Sequence, residues 1–219
     1  MLKRHVIKVL LLLVSVSTAS AYENLSTTDN EHARTWKSFA EKVYQLHERQ
    51  LAGRSIRTTR TPGGYMNHPN CYVEVSYFDE ATGLLLSRIK WRTEHPDTTH
   101  VIEVFVYDDQ QRLLRDYTVA YVAAFYNHLR AGADIPNQAL VNMHNHNGEL
   151  SAFRSFDANG TFAYEACSGE YEGRPVDISL DDEEINGIGA DPNSLLKRKE
   201  YKACFGGMPA TAGEYLDPH

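Results

Sequence analysis

Short stretches in which apolar and polar residues alternate fill the middle of this chain, separated by only a few turn residues. Alternation with a period of two is typical of a β-strand that buries one face, and short connections join such strands as antiparallel neighbours. Seven strands are predicted, namely Tyr72–Asp79, Leu84–Trp91, His100–Tyr107, Arg112–Val122, Val141–His146, Glu149–Phe156 and Thr161–Cys167. The first six form three successive hairpins, and the pattern therefore predicts an antiparallel β-meander of about six or seven strands.

The turns between these strands carry sequence signals of their own. Phe78-Asp79, Tyr107-Asp108 and Phe156-Asp157 each place an aromatic residue and then an aspartate at the end of a strand. An aspartate at the first position of a type I turn accepts hydrogen bonds from the turn backbone. Asn147-Gly148 is a strong hairpin signal because both residues tolerate positive φ. We expect these two residues to occupy the central positions of a two-residue turn.

An amphipathic helix is predicted before the strands. Thr28 and Glu31 have the spacing of a capping box at a helix start. One apolar stripe follows at three- and four-residue spacing and consists of Trp36, Phe39, Ala40, Val43, Leu46, His47 and Leu51. Gly53 is expected to end the helix. The predicted fold class is α+β, with the antiparallel sheet and this N-terminal helix packed on one of its faces.

The regular patterns fade after Cys167. Residues 22–168 are therefore predicted to form a helix-plus-sheet domain, and residues 169–219 an irregular C-terminal extension packed on the same domain. Ahead of the first predicted strand, Thr61-Pro62-Gly63-Gly64 has the composition of a turn.

The first 21 residues have the features of a cleavable secretory signal peptide. A basic start is followed by an apolar run, Val9–Val16, and by the small-residue pattern Ala19-x-Ala21. The apolar run is much shorter than the roughly 20 residues needed to span a bilayer. We therefore expect cleavage before Tyr22, a periplasmic or secreted location, and no membrane span in the mature chain.

The charge balance excludes two classes of partner. The formal net charge of −7 falls to about −10 once the signal peptide is removed with Lys3, Arg4 and Lys8. An acidic protein of this kind repels phosphate backbones and anionic lipid surfaces. We expect neither nucleic acid nor a membrane surface to be its partner.

Three cysteines, Cys71, Cys167 and Cys204, allow one disulfide within the chain. An oxidising compartment permits it to form. We expect Cys167 to pair with Cys204, because Cys167 closes the last clear strand and Cys204 lies in a tail with little apolar content to hold it down. The two pairings that involve Cys71 remain open alternatives.

The histidine-rich hairpin offers a candidate metal site. If Asn147-Gly148 forms the turn, His146 lies opposite Glu149, and His144 shares their face. Two histidines and one carboxylate can hold a divalent transition metal ion. The alternative is that His144, His146 and Glu149 are polar residues on the solvent side of a hairpin. His68 and Cys71 form a second candidate pair, suited to copper.

No motif in the chain identifies an activity, since phosphate loops, nucleophile elbows and zinc-protease signatures are all absent from the sequence. Whether the chain is an enzyme stays open. The 13 tyrosines favour contact surfaces. The expected function is an exported binding or accessory module, non-enzymatic, whose sheet face or aromatic groove contacts a partner that the sequence does not identify. The alternative is a metal-binding or metal-dependent protein that uses the histidine hairpin.

Overall fold

The computed structural model describes residues 31–65, 68–94, 96, 99–121, 136–181, 185 and 195–219. The predicted signal peptide, residues 1–21, and the predicted helix cap at Thr28 lie outside the described residues. Within the described ranges, no helix combines the length and the hydropathy that crossing a membrane requires.

Nine strands form one antiparallel sheet in which each strand pairs with its neighbours in sequence. Helix α1 (Glu31–Leu51) precedes the sheet, and a short helix, α2 (Lys199–Phe205), follows it between two 3-10 turns, Leu195–Lys197 and Gly213–Leu216. The strands are β1 (Ile56–Tyr65), β2 (His68–Asp79), β3 (Leu85–Arg92), β4 (Thr99–Tyr107), β5 (Leu113–Ala120), β6 (Gln138–Asn147), β7 (Leu150–Asp157), β8 (Phe162–Tyr171) and β9 (Arg174–Asp181). The predicted α+β class and the antiparallel meander are confirmed.

Helix α1 packs on one face of the sheet, which we call the helix face. Its buried residues are Ala33, Phe39, Ala40, Val43, Leu46 and His47, most of them members of the predicted stripe. They contact inward side chains of β3 to β6, among them Ile89, Ile102, Val104, Tyr117, Val119 and Val141. The Nδ1 atom of His47 lies 2.7 Å from the hydroxyl oxygen of Ser87 in β3. Burial of the imidazole lowers the pKa of His47.

Helix α2 packs on the same helix face, over the later strands. Its Cys204 and Phe205 are buried with Leu150, Ala152, Cys167, Val176, Ile178 and Leu180 of β7 to β9. A disulfide joins Cys167 in β8 to Cys204 in α2, so the predicted pairing is confirmed. The side-chain amide of Asn145 also donates to the Cys204 carbonyl at 2.7 Å. The C-terminal helix is thus linked to the sheet both covalently and by hydrogen bonds.

A buried ion pair reinforces this link. Glu165 of β8 is 0% exposed, and its carboxylate accepts hydrogen bonds from Arg154 Nε at 2.8 Å and from the Tyr201 hydroxyl at 2.6 Å. The Arg154 guanidinium lies 5.5 Å from the centre of the Phe205 ring. Burial and the adjacent Glu165 carboxylate raise the pKa of Tyr201 to about 12. The donors supplied by Arg154 and Tyr201 compensate the lost hydration of the buried carboxylate.

The sheet has more strands than the six or seven predicted. β1 runs through Thr61-Pro62-Gly63-Gly64, which we expected to be a turn, and β9 lies in the part expected to be irregular. Both are edge strands that contain a proline, Pro62 or Pro175. Edge strands tolerate proline because the backbone on their outer side makes no hydrogen bonds to a neighbouring strand. Their extended conformation depends on pairing with β2 and β8. Most of β1 is exposed, so it shows no hydrophobic alternation of its own.

The three aspartate turns form as predicted. In each, the aspartate Oδ1 accepts backbone N–H groups of the turn: Ala81 for Asp79, Gln110 and Arg112 for Asp108, and Asn159 and Thr161 for Asp157. The hydrogen bonds from Ala81 and Arg112 lower the pKa of Asp79 and of Asp108, respectively. Each turn is thus stabilised by hydrogen bonds within its own few residues, and Arg54 adds an ion pair to Asp79.

The turn between β6 and β7 is displaced by one residue from the predicted one. Asn147 pairs with Leu150, so Gly148 and Glu149 are the central residues. Gly148 has φ 63°, and positive φ at the first central position is typical of a type II′ turn. The Asn147 side chain donates to the Ala203 carbonyl at 3.0 Å, which favours keeping Asn147 within the strand. A contact with the α2 segment therefore supports this turn position.

Candidate functional site

The side of the sheet opposite the two helices, which we call the open face, is polar and aromatic. The strand registers place on it Tyr72, Glu74, Arg88, Lys90, Glu103, Phe105, Asp116, Asn142, His144, Phe153, Ser155 and Tyr164. The described helices pack on the other side. These residues are half-buried or buried, and the contacts between their side chains run across the strands.

Ion pairs connect the open face over β2, β3 and β4. Arg88 binds both carboxylate oxygens of Glu103, at 2.7 and 3.1 Å, and Lys90 lies 3.7 Å from Glu74. Burial opposes the charge of Arg88, but Glu103, Glu74 and Asp116 outweigh it and raise the pKa of this guanidinium. The Arg88 guanidinium also lies 5.5 Å from the centre of the Phe105 ring. A bidentate arginine–carboxylate pair fixes both side chains in one geometry.

Asp116 organises the open face over β5 and β6. Its Oδ2 lies 2.6 Å from Nε2 of His144, and its Oδ1 accepts a hydrogen bond from the Asn142 side-chain amide at 2.8 Å. A carboxylate oxygen accepts hydrogen bonds, so Nε2 of His144 carries a proton in this contact. The contact fixes the position of the imidazole ring on the open face.

An aromatic row continues from His144 across β7 and β8. The ring centres of His144 and Phe153 are 5.9 Å apart, and those of Phe153 and Tyr164 are 5.7 Å apart. The Tyr164 hydroxyl lies 2.5 Å from the Ser179 hydroxyl. Beside this row, Ser155 is 3% exposed, and its hydroxyl has no hydrogen-bond partner. A buried polar group without a partner is uncommon and calls for an explanation.

The predicted metal ligands are only partly brought together. His144 and His146 share the open face, but Ser151 rather than Glu149 lies opposite His146, and Glu149 is an exposed turn residue. The His146 Nε2 atom lies 3.0 Å from the Leu113 carbonyl oxygen, and His144 contacts Asp116. Among the described residues, no group of three His, Cys, Asp or Glu side chains is placed to hold a metal ion. The predicted register is wrong, and metal binding by His144, His146 and Glu149 stays a prediction.

The structure describes the side chain of only one residue of the second candidate pair, His68 and Cys71. Cys71 is a half-buried free thiol in β2, whereas the His68 side chain lies outside the description. The copper hypothesis for this pair therefore stays a prediction too.

Sequence reasoning found His144 but missed Asp116, Asn142, Phe153 and Ser155 as its neighbours. Asp116 is 28 residues from His144, and only the pairing of β5 with β6 brings them together. One local signal exists, since Asp116 is a charged residue inside a strand, where aspartate is disfavoured. The sequence nonetheless does not identify the partner of Asp116 until the strand register is known.

No known protein family, curated protein or solved structure matches this chain. The candidate site therefore rests on the geometry of its own residues. Two shallow hollows of about 410 and 590 Å³ lie beside α1 and away from the open face. Thr35, Ala158 and Leu216 line both of them.

Proposed function

We propose that this chain is an exported, non-enzymatic binding module that contacts its partner through the open face. The observation that carries the proposal is that polar and aromatic side chains of this face already hold one another in place across six strands. Arg88 is held by Glu103, His144 by Asp116, and Tyr164 by Ser179. A surface ordered before binding loses less conformational entropy when the partner arrives.

The composition of the face supports the same function. Half-buried aromatic rings such as Phe105, Phe153 and Tyr164 supply contact area at a low entropic cost, and the charged groups between them are paired within the chain. Surfaces that combine aromatic residues with satisfied polar groups are typical of contact sites. The helices, in contrast, bury apolar side chains and thereby stabilise the fold.

Export is the second part of the proposal. It is supported by the signal-peptide pattern of residues 1–21 and by the Cys167–Cys204 disulfide, which an oxidising compartment favours. The mass of the intact protein recovered from the periplasm or the medium tests it directly. We expect a chain that begins at Tyr22, and a full-length chain retained in the membrane fraction would contradict export with cleavage.

Photo-crosslinking in the cells that produce the protein tests the open face. A benzophenone amino acid replaces Phe153, and the matched control carries it at Lys37, an exposed position of α1 on the other side of the sheet. We expect a crosslinked product from the first variant and none from the second. Equal products from both positions, or none from Phe153, would refute the assignment of the open face.

A further inference from the structure

The outer edge of β1 is a second surface for protein contact, separate from the open face. We propose that this edge binds an extended acidic segment of a protein partner, which joins the sheet as a further strand beside β1. Backbone groups of β1 supply the hydrogen bonds of this strand addition, and Arg57 and Arg60 each face a carboxylate of the segment.

β1 is a long edge strand with little cover. It runs over ten residues, Ile56–Tyr65, and every residue from Arg57 to Pro62 is exposed. Successive residues of a strand point to opposite faces, so this stretch is exposed on both. In β9, the other edge strand, every second residue is buried with α2. Within the described ranges, β2 is the only strand that pairs with β1.

The β1–β2 ladder shows which backbone groups of β1 point outward. The Glu80 N–H donates to the Ser55 carbonyl at 3.0 Å, and these two residues continue the register in which Ile56 lies opposite Asp79. Hydrogen-bonded and non-bonded pairs alternate in an antiparallel ladder. The residues of β1 that bond to β2 are therefore Arg57, Thr59 and Thr61.

The intervening residues offer their backbone to an added strand. Ile56, Thr58 and Arg60 each direct one N–H and one C=O away from β2. Pro62 occupies the next outward position and has no N–H, so the row of donors ends before it. The free edge thus presents three donors and three acceptors in regular order, which is the pattern that an extended segment requires.

The charge of this edge favours an acidic segment. β1 contains Arg57 and Arg60 and no acidic residue. The Arg57 guanidinium lies 4.2 Å from the centre of the Phe78 ring, which holds it on the open-face side. Neither arginine forms an ion pair with a described residue. Opposite charges that face one another across neighbouring strands stabilise the pairing.

The carboxylates of β2 and of the turn after it already have partners. They pair as Asp79 with Arg54, Glu74 with Lys90, and Glu80 with the Ser55 hydroxyl. Glu80 keeps its charge, but it lies opposite Ser55, before β1 begins. The stretch from Arg57 to Thr61 is therefore locally positive although the whole chain is acidic. At physiological salt, charges more than about 8 Å away are largely screened.

The spacing of the two arginines specifies the segment. Arg57 and Arg60 are three residues apart, so their side chains project to opposite faces of the sheet. A strand beside β1 meets both of them only if its own acidic residues are also three apart. Pairing with β1 of a second copy would bring four arginines together without a carboxylate, which is unfavourable. The edge therefore selects a different chain as its partner.

Nuclear magnetic resonance titration of the mature protein with three octapeptides tests the inference. The first is Thr-Val-Glu-Thr-Thr-Glu-Val-Thr, and the second, Thr-Val-Glu-Thr-Glu-Thr-Val-Thr, has the same composition with its glutamates two apart. The third has lysine in place of both glutamates of the first. We expect the first to bind with a Kd below about 1 mM and to slow amide exchange at Ile56, Thr58 and Arg60. The second should bind at least about threefold more weakly, and the third should not bind.

Two variants at one position separate backbone pairing from side-chain contact. Thr58→Pro removes an outward N–H without breaking a hydrogen bond to β2, so its melting temperature should match that of the control Thr58→Ala. Binding of the first peptide should be lost in Thr58→Pro and kept in Thr58→Ala. The double variant Arg57→Glu/Arg60→Glu should prefer the lysine peptide instead.

Four results would overturn the inference. They are no binding of the first peptide at about 5 mM, equal binding of the two glutamate peptides, equal binding by Thr58→Pro and Thr58→Ala, or slow exchange at Thr58 caused by self-association. Crosslinking at Phe153 without peptide binding would likewise overturn the edge site, but it would leave the open face as a binding surface. The two proposals thus fail on different outcomes.

Discussion

Reduction of the Cys167–Cys204 disulfide should lower the free energy of unfolding of this protein by an amount that follows from the length of the loop it closes. The bridge closes a loop of 37 residues, and the loop-entropy relation then gives about 4 kcal/mol at 25 °C. For a domain of this size, that loss corresponds to a fall in melting temperature of roughly 8–16 °C. Total stabilities of about 5–15 kcal/mol are usual, so the effect is large enough to measure.

The comparison is well controlled because the sequence stays the same. Cys167 and Cys204 are 1% and 0% exposed, so reduction requires unfolding in denaturant and refolding with reductant present. Two thiols at these positions stay apolar and keep the volume nearly unchanged. The contacts of Glu165 with Arg154 and Tyr201 do not involve either sulfur atom, so we expect the reduced protein to keep them. The measured difference therefore reports the crosslink and not the loss of packing.

Urea unfolding of the oxidised and reduced forms measures the difference, in a Cys71→Ser background that removes the third thiol. We expect the free energy of unfolding to fall by about 3–4 kcal/mol on reduction. A fall of less than about 1 kcal/mol would refute the entropy argument. It would mean that α2 and its neighbours remain associated with the sheet in the unfolded ensemble.

Three further predictions concern single side chains. Tyr201→Phe removes a hydrogen-bond donor from the buried Glu165 carboxylate. The free energy of unfolding, measured in urea, should therefore fall by about 1–3 kcal/mol. An unchanged unfolding midpoint would contradict the structural role of this hydrogen bond. Burial lowers the pKa of His47, so the stability that it contributes is complete above pH 6.5 and is lost as the pH falls below that value. The melting temperature should therefore fall less between pH 7 and 5 in His47→Gln than in wild type or in the exposed-site control His219→Gln, and parallel curves would argue against it. Gly169→Ala should lower the melting temperature far more than Gly173→Ala. A Cβ atom at Gly169 would lie 2.1 Å from a carbonyl oxygen, whereas a Cβ atom at Gly173 would meet open space. Equal losses in the two variants would contradict the close approach at Gly169.

What the sequence by itself determined were the features that depend on neighbours along the chain. The stripe of α1 is buried because its spacing matches the helical period. The turns at Asp79, Asp108 and Asp157 form because each carboxylate accepts backbone N–H groups two to four residues away. The disulfide was predicted because Cys167 closes the last clear strand and Cys204 lies in a tail with little apolar content, although the folded tail buries Phe205 on the sheet as well.

Only the tertiary structure decided the features that depend on distant strands. β1 is extended because β2 pairs with it, although its exposed residues carry no strand pattern of their own. The turn lies at Gly148-Glu149, where Asn147 also bonds to the α2 segment, 56 residues away. His144 meets Asp116 through the β5–β6 register, and Ser155 meets Asn142 through the β6–β7 register. A register slip changes every cross-strand neighbour while leaving the local sequence pattern unchanged, and for that reason the composition of the open face was settled by the assembled sheet.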